Sequence, residues 1–174
     1  MSDLFSIFIK FFFPTMMVGV IIYDFFTLTI PNTLNFLIFI GFIFIAFMTG
    51  ISLVDFGWHM LACFVALTFG FTLFAFNMFG GGDAKSLAAS VTWFGWQPQT
   101  VELLLATAIL GGVFAVFLLI MRSQLVQYLL PIKLTNIQWV RAIFTPQARM
   151  PYGVAIGAAG IWLYSPDKWL ALIQ

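Results

Sequence analysis

The sequence contains several runs of about 20 residues that are almost entirely apolar, each with at most one charged residue. A helix needs about 20 such residues to cross the hydrocarbon core of a bilayer. Only 7% of the 174 residues are charged, whereas a soluble domain carries roughly 25% because its surface faces water. These features exclude a soluble globular enzyme, a disordered chain and a secreted disulfide scaffold. They predict an all-α, polytopic membrane protein.

Six transmembrane helices are predicted, at about residues 5–23, 33–49, 58–77, 84–96, 101–121 and 151–164. The fourth run is short for a span, and the sixth could continue past Pro166 to the C-terminus. We expect residues 1–174 to form a single integral-membrane domain. Because Asp3 stands where a signal peptide has basic residues, the first run is expected to stay in the protein.

The basic residues predict the orientation. Five of the seven, Lys85, Arg122, Lys133, Arg141 and Arg149, fall in two connections, which the positive-inside rule places in the cytoplasm. The N-terminus is then outside, together with Asp55. The long connection, residues 122–150, mixes apolar and polar residues, which favours an amphipathic segment held at the membrane surface by lipid. A substrate-docking surface is the alternative.

The same composition limits the possible partners and cofactors. A net charge of +1 gives no case for nucleic acid. The single cysteine, Cys63, excludes an internal disulfide and a cysteine-built zinc site. His59 and Cys63 are four residues apart and lack a third ligand, and His59 is expected to lie at the membrane interface. We therefore expect neither a metal nor another cofactor.

Two acidic residues near hydrocarbon are the candidates for chemistry, because ionisable groups in membrane segments require a reason. Asp24 ends a long apolar run, and Asp83 follows Gly80, Gly81 and Gly82. The predicted topology places both at the cytoplasmic ends of their helices, where they could meet. Each has a simpler alternative. Asp83 could be an ordinary helix N-cap, and Asp24 could be solvated by lipid headgroups.

The functional hypothesis is a paired-carboxylate hydrolase. Two carboxyl groups that lie close together hold one proton between them. The ionised member can then take a proton from the attacking water, while the protonated member donates to the substrate. Glycines before Asp83 would allow an extended substrate backbone to approach the pair.

The chain resembles the type IV prepilin peptidases, which are membrane aspartyl peptidases with a GxGD-type site. Three elements carry the resemblance: Asp24 followed by Ile30-Pro31-Asn32, the Gly80-Gly81-Gly82-Asp83-Ala84-Lys85 segment, and Met150-Pro151-Tyr152-Gly153. The resemblance implies that Asp24 and Asp83 are the catalytic pair of a GxGD-type helix bundle. It gives substrate-binding or supporting roles to the glycines and to the remaining motif residues, Pro31, Asn32, Lys85, Pro151, Tyr152 and Gly153.

The resemblance also implies the substrate, which is the basic leader of a prepilin-like protein, cut at the cytoplasmic face of a bacterial inner membrane. Leu28 and Thr29 depart from the family, which usually has arginines there. The long bifunctional members carry paired CxxC motifs and a methyltransferase activity. Because those motifs are absent, this chain is similar to the short form associated with tight-adherence (Flp-type) pili. The oligomeric state is not predicted.

Three alternatives remain open at this point. A presenilin-like intramembrane protease shares the Tyr-Asp and GxGD elements, but its Pro-Ala-Leu element is absent here. A small proton- or cation-coupled transporter could use the two carboxylates as an ion site. A non-catalytic subunit of a secretion machine is the third. Gly153, Gly157 and Gly160 further predict that the last helix packs closely on its neighbours.

Overall fold

The computed structural model describes residues 2–123 and 150–172, and every regular element in those residues is helical. The helices are α1 (Ser2–Thr27), α2 (Asn32–Thr49), α3 (Leu53–Ala75), α4 (Gly81–Phe94), α5 (Pro98–Met121), α6 (Tyr152–Leu163) and the single turn α7 (Asp167–Leu170). The predicted all-α fold is confirmed, and all six predicted helices are present. Most of the 122–150 connection, for which we predicted a surface-lying segment, falls outside the described residues.

Four of these helices, α1, α2, α3 and α5, are long and apolar enough to cross a membrane. The described chain is therefore a polytopic membrane bundle. Helices α4 and α6 have only 14 and 12 residues, so six complete spans remain a prediction. Nearly every residue of α4 is buried, and α4 packs against α2, α3, α5 and α6. A helix that is surrounded by protein can be short because it need not match the bilayer thickness.

An aromatic cluster fixes the end of α4 that lies away from Asp83. The Trp93 indole N–H donates to the carbonyl oxygen of Ile38 in α2 at 3.0 Å. The Trp93 ring lies 5.1 Å from the ring of Phe13 in α1 and 6.3 Å from that of Trp169 in α7. Buried aromatic pairs at such spacings contribute about 0.5–1.5 kcal/mol beyond their burial. The cluster thus joins α1, α2 and α7 to the central helix.

Helix α3 begins five residues earlier than predicted, at Leu53. Ser52 precedes it and accepts a hydrogen bond from the Asp55 backbone N–H at 3.1 Å, while its hydroxyl donates to the Asp55 carboxylate at 2.7 Å. A serine followed three residues later by an acidic residue is a recognised helix start. The prediction followed the apolar run from residue 58 and so missed this signal, which lies before the run.

Helix α4 also begins earlier than predicted, because the glycines do not form a break. Gly80 is the N-cap, and Gly81 and Gly82 are the first two helical residues. Gly70 of α3 faces α4 so closely that a Cβ there would lie 2.9 Å from the Ala84 Cα. This close approach explains why α3 and α4 can run side by side on either side of a short turn.

The predicted close packing of the last helix is confirmed, and its partner is α1. A Cβ at Gly157 would lie 2.5 Å from Ile21 Cγ1 and 2.8 Å from the Met17 carbonyl oxygen. A Cβ at Gly160 would lie 3.1 Å from the Met17 sulfur. The small residues let α6 lie directly on the helix that carries Asp24.

His59, for which we predicted a place at the membrane interface, is buried inside the bundle rather than exposed at its surface. The side chain is 5% exposed, and its Nδ1 lies 2.6 Å from the carbonyl oxygen of Thr92. Its ring stacks on Phe42 with centroids 5.0 Å apart. Helix α6 does not continue past Pro166. It ends at Leu163, and the separate turn α7 inserts Trp169 beside His59, with ring centroids 5.6 Å apart.

Candidate active site

Four separate parts of the chain meet at one end of the bundle: the end of α1, the loop before α2, the glycine turn before α4, and the residue preceding Pro151. They enclose a cavity of about 210 Å³. Both candidate carboxylates, Asp24 and Asp83, line it. The rest of its wall consists of Leu28, Thr29, Ile30, Gly80, Gly81, Gly82 and Met150. The structure thus brings together the two acidic residues that are 59 positions apart in sequence.

Asp24 lies in the last turn of α1 and is 3% exposed. The alternative in which lipid headgroups solvate it is therefore wrong. The backbone N–H groups of Gly153 and Val154, in the first turn of α6, face its carboxylate, and the negative charge of Asp83 acts on it from across the cavity. Its Oδ2 has no hydrogen-bond partner among the residues that the structure describes. A buried carboxyl oxygen without a partner is costly, and such an atom in a native structure calls for an explanation, of which a catalytic role is one.

Asp83 is 6% exposed and is the third residue of α4 rather than its N-cap. Its Oδ2 accepts a hydrogen bond from the Gly80 backbone N–H at 2.9 Å. An acidic side chain at this position can cap a helix by reaching back to the N-cap amide. Asp83 is therefore not the N-cap residue, although its carboxylate does cap α4 from the third helical position. The capping bond also fixes the orientation of the carboxylate at the cavity.

We predicted that the glycines before Asp83 let a substrate backbone approach. They also allow close packing inside the protein. A Cβ at Gly82 would lie 3.3 Å from Ile30 Cβ, and a Cβ at Gly80 would lie 2.9 Å from Asp83 Oδ2. Gly153 is tighter still, because a Cβ there would lie 2.7 Å from Asp24 Oδ2. Gly81 differs, since its nearest neighbour would be Phe74 Cε2 at 3.8 Å. Gly81 therefore has room on the cavity wall.

The Ile30-Pro31-Asn32 element connects α1 to the start of α2. Pro31 precedes the first helical residue, and its carbonyl oxygen accepts from the backbone N–H of Leu34 at 3.1 Å. The Asn32 Oδ1 accepts a hydrogen bond from Lys85 Nζ at 2.8 Å. Pro31, Asn32 and Lys85 are not part of the cavity wall. They join α2 to α4 beside it.

Pro151 and Tyr152 also stand behind the cavity rather than in its wall. Pro151 precedes α6, and the Tyr152 ring packs on Phe79 with centroids 4.7 Å apart. A Cβ at Gly111 of α5 would lie 3.1 Å from Tyr152 Cε1. Tyr152 therefore holds the start of α6 between the glycine turn and α5. It positions Gly153 against Asp24.

Leu28 and Thr29, the departures from the family pattern, both line the cavity. Leu28 has a positive φ of 53°, a conformation that non-glycine residues rarely adopt. The Thr27 hydroxyl lies within hydrogen-bond distance of the carbonyl oxygens of Tyr23 and Thr29, at 2.7 and 2.9 Å, beside this turn. The strained turn gives the cavity an apolar side chain where the family usually has a basic one.

Sequence reasoning missed Asn35 and Ser86. Asn35 is 6% exposed, and its Oδ1 accepts from the Ser86 hydroxyl at 2.7 Å. Its Nδ2 lies 3.4 Å from the Gly82 carbonyl oxygen. The sequence did contain a signal for Asn35, because it is a polar amide inside the otherwise apolar run of α2, three residues after Asn32.

The cavity wall contains two carboxyl groups, backbone, one hydroxyl and apolar side chains, and no basic side chain. Within residues 2–123 and 150–172, no three His, Cys, Asp or Glu side chains are placed as a metal-ligand set. Two facing carboxyl groups that exchange one proton can activate water and protonate a leaving group. The chemistry that this arrangement supports is acid–base hydrolysis.

Fold and cavity together define an integral membrane protein with an enclosed pair of carboxyl groups. The chain belongs to the type IV leader peptidase family, whose model matches residues 11–116, a range that includes both Asp24 and Asp83. It is therefore a membrane peptidase. No curated protein and no solved structure matches the chain significantly.

Proposed function

We propose that this protein is an aspartic endopeptidase that removes the basic leader peptide of type IV prepilin-like proteins at the cytoplasmic face of a bacterial inner membrane. The observation that carries the proposal is the placement of Asp24 and Asp83. They come from different helices, both are buried, and both line one cavity of about 210 Å³. Membership of the leader peptidase family supports the substrate class.

The proposed reaction uses one water molecule and the two carboxyl groups. The ionised carboxylate removes a proton from water as the water oxygen attacks the scissile carbonyl carbon, and the protonated partner donates to the carbonyl oxygen. Collapse of the resulting tetrahedral species breaks the C–N bond, and a proton passes to the leaving amine. The pair again holds one proton at the end, so it can repeat the cycle.

The cavity wall suggests how a substrate could bind. The space is too small for a helix, because one turn of helix with its side chains is about 10 Å across. We propose that a short extended segment binds there instead. Gly81 leaves room along the wall, so that a substrate backbone could lie against the glycine turn. Leu28 would contact an apolar part of the substrate.

The distribution of basic residues supports the proposed orientation. Lys85 follows the glycine turn and Arg122 follows α5, at the connections that the positive-inside rule places in the cytoplasm. We propose that the whole chain, residues 1–174, acts as one peptidase domain that lipid surrounds. The cavity then opens toward the side where basic leaders are found before processing.

The test is to replace each carboxyl group by an amide. Asp24→Asn and Asp83→Asn should each lower cleavage of a purified prepilin-type reporter, a basic leader followed by an apolar helix, by at least 100-fold in detergent. An amide cannot exchange the proton that the mechanism needs. At position 83 it still offers an oxygen to the Gly80 N–H, so α4 should remain capped.

Asp55→Asn is the matched control, because Asp55 lies in the first turn of α3, outside the cavity. It should cleave the reporter at the wild-type rate, and all three variants should insert and melt similarly. Near-normal cleavage by either cavity variant would reject the aspartic mechanism. Proton-coupled uptake by the protein in vesicles, without any cleavage, would favour the transporter alternative instead.

A further inference from the structure

Asn35 is a buried polar residue in a membrane-spanning helix. It lies in the first turn of α2 and contacts two residues of α4 through both ends of its amide. The amide oxygen accepts from Ser86, whose side chain is fully buried, at 2.7 Å. The amide nitrogen donates to the Gly82 carbonyl oxygen over a longer 3.4 Å. Burying an amide costs free energy unless its hydrogen bonds are made, so these two contacts are what allow Asn35 to be buried here.

The two residues that Asn35 contacts lie before and after Asp83 in the sequence. Gly82 immediately precedes it, and Ser86 follows three residues later, on the same face of the helix. A bond to Ser86 therefore fixes how far α4 is rotated about its axis, and a bond to Gly82 fixes its depth. Rotation and depth of α4 together set where the Asp83 carboxylate lies relative to Asp24 on α1.

We propose that Asn35 is a positioning residue, which holds Asp83 at the distance and angle from Asp24 that proton exchange requires. The inference rests on the proposed function, because it assumes that the two carboxyl groups act as a pair. Asn35 acts through Ser86 and Gly82 and does not line the cavity.

The alternative is that Asn35 only helps the helices to pack. The two roles differ when the amide is replaced by an apolar side chain of similar shape. Replacing both partners of a buried hydrogen bond by apolar groups can be neutral or stabilising. A packing role therefore predicts that Asn35→Leu with Ser86→Ala keeps both stability and activity. A positioning role predicts that stability is kept while activity falls.

The first experiment measures cleavage of the prepilin-type reporter by Asn35→Leu, Ser86→Ala and the double variant. We expect kcat to fall at least tenfold in each, with KM within twofold of wild type. The double variant should keep a melting midpoint near that of wild type in detergent, whereas each single variant, which leaves one buried partner unsatisfied, should melt at a lower temperature. The double variant should be no slower than the slower single variant, because all three remove one shared interaction.

Thr92→Val is the matched control. Thr92 lies on the same helix, is fully buried, and its hydroxyl donates to the Ala88 carbonyl oxygen at 2.9 Å, far from Asp83 along α4. It should change the melting midpoint without changing kcat. Loss of kcat in Thr92→Val equal to that in Asn35→Leu would show that any lost polar bond in α4 is harmful, and would overturn the proposal.

A second experiment does not depend on cleavage. In a Cys63→Ser background, Asp24→Cys with Asp83→Cys should be joined efficiently by a short bifunctional thiol reagent, since both positions line one cavity. Adding Asn35→Leu should lower the cross-linking yield several-fold. An unchanged yield would overturn the positioning role even if the reporter is never cleaved. Cleavage by wild type with an unchanged yield would leave the proposed function standing and remove only this inference.

Discussion

Gly153→Ala isolates the contact between α6 and the candidate catalytic pair. The added Cβ would lie 2.7 Å from Asp24 Oδ2, 2.7 Å from Ile30 Cδ1 and 2.9 Å from Asp24 Cβ. The end of the Ile30 side chain can move away, but the Cβ of Asp24 is fixed to α1. The carboxylate must therefore retreat by about 0.7 Å to reach an ordinary contact of 3.4 Å.

This displacement sets the expected size of the effect. A misplacement of about 1 Å can lower the rate of an enzyme by about 100-fold, so a shift of about 0.7 Å should reduce kcat by roughly 10- to 50-fold. The same overpacking should destabilise the fold by about 1–3 kcal/mol. Because the substitution leaves the substrate wall at Gly81 and Leu28 unchanged, KM should change little.

The assay is reporter cleavage in detergent, with thermal unfolding measured on the same preparation. Gly112→Ala provides the matched control, because Gly112 lies in α5 and a Cβ there would meet nothing within 4 Å. It should cleave normally and gain up to about 1 kcal/mol of stability from the better helix former. The reasoning is refuted if Gly153→Ala and Gly112→Ala cleave at equal rates.

Three further predictions concern topology, the core and pH. In a Cys63→Ser background, a cysteine that replaces Thr33 should react with an impermeant thiol reagent only from the cytoplasmic side. A cysteine that replaces Gln97 should react only from the periplasmic side. The reverse pattern would contradict the orientation. Trp169→Ala should lower the free energy of unfolding by about 3–5 kcal/mol through the cavity it leaves, while reporter cleavage well below the melting midpoint stays near normal; a loss of cleavage there would connect α7 to the site. Cleavage should show a bell-shaped pH profile, because the rate falls when both carboxyl groups are protonated at low pH and again when neither is at high pH. A rate that rises steadily with pH would contradict a shared proton.

The helices were predictable because long apolar runs have few other structures open to them in a membrane. Their starts were less predictable. The start of α3 depends on the Ser52 and Asp55 side chains, and the start of α4 depends on glycines that usually interrupt a helix. Close packing of Gly82 on Ile30, and of Ala84 on Gly70 of α3, overrides that preference, and such tertiary contacts leave no local pattern.

The two carboxyl groups of the site could be predicted from the sequence, but the residues that hold them in place could not. Asp24 and Asp83 stood out because carboxyl groups are rare in apolar segments. Asn35 did not, since an uncharged amide in such a run has no obvious partner until α2 and α4 are placed together. The burial of His59 was not predicted for a similar reason. Its burial depends on the turn after Tyr164, which brings Trp169 back over the bundle.

The backbone amides near the Asp24 and Asp83 carboxylates limit which substitutions could change the electrostatics of the candidate catalytic pair. Asp83 accepts from the amide at the start of α4, and Asp24 faces amides at the start of α6. The start of a helix carries roughly half a positive charge, so peptide dipoles offset the negative charge of the pair in a cavity without a basic side chain. Side-chain substitutions cannot remove a peptide dipole. Only proline lacks the N–H, and the electrostatic support of this centre is therefore encoded in helix geometry rather than in any replaceable cation.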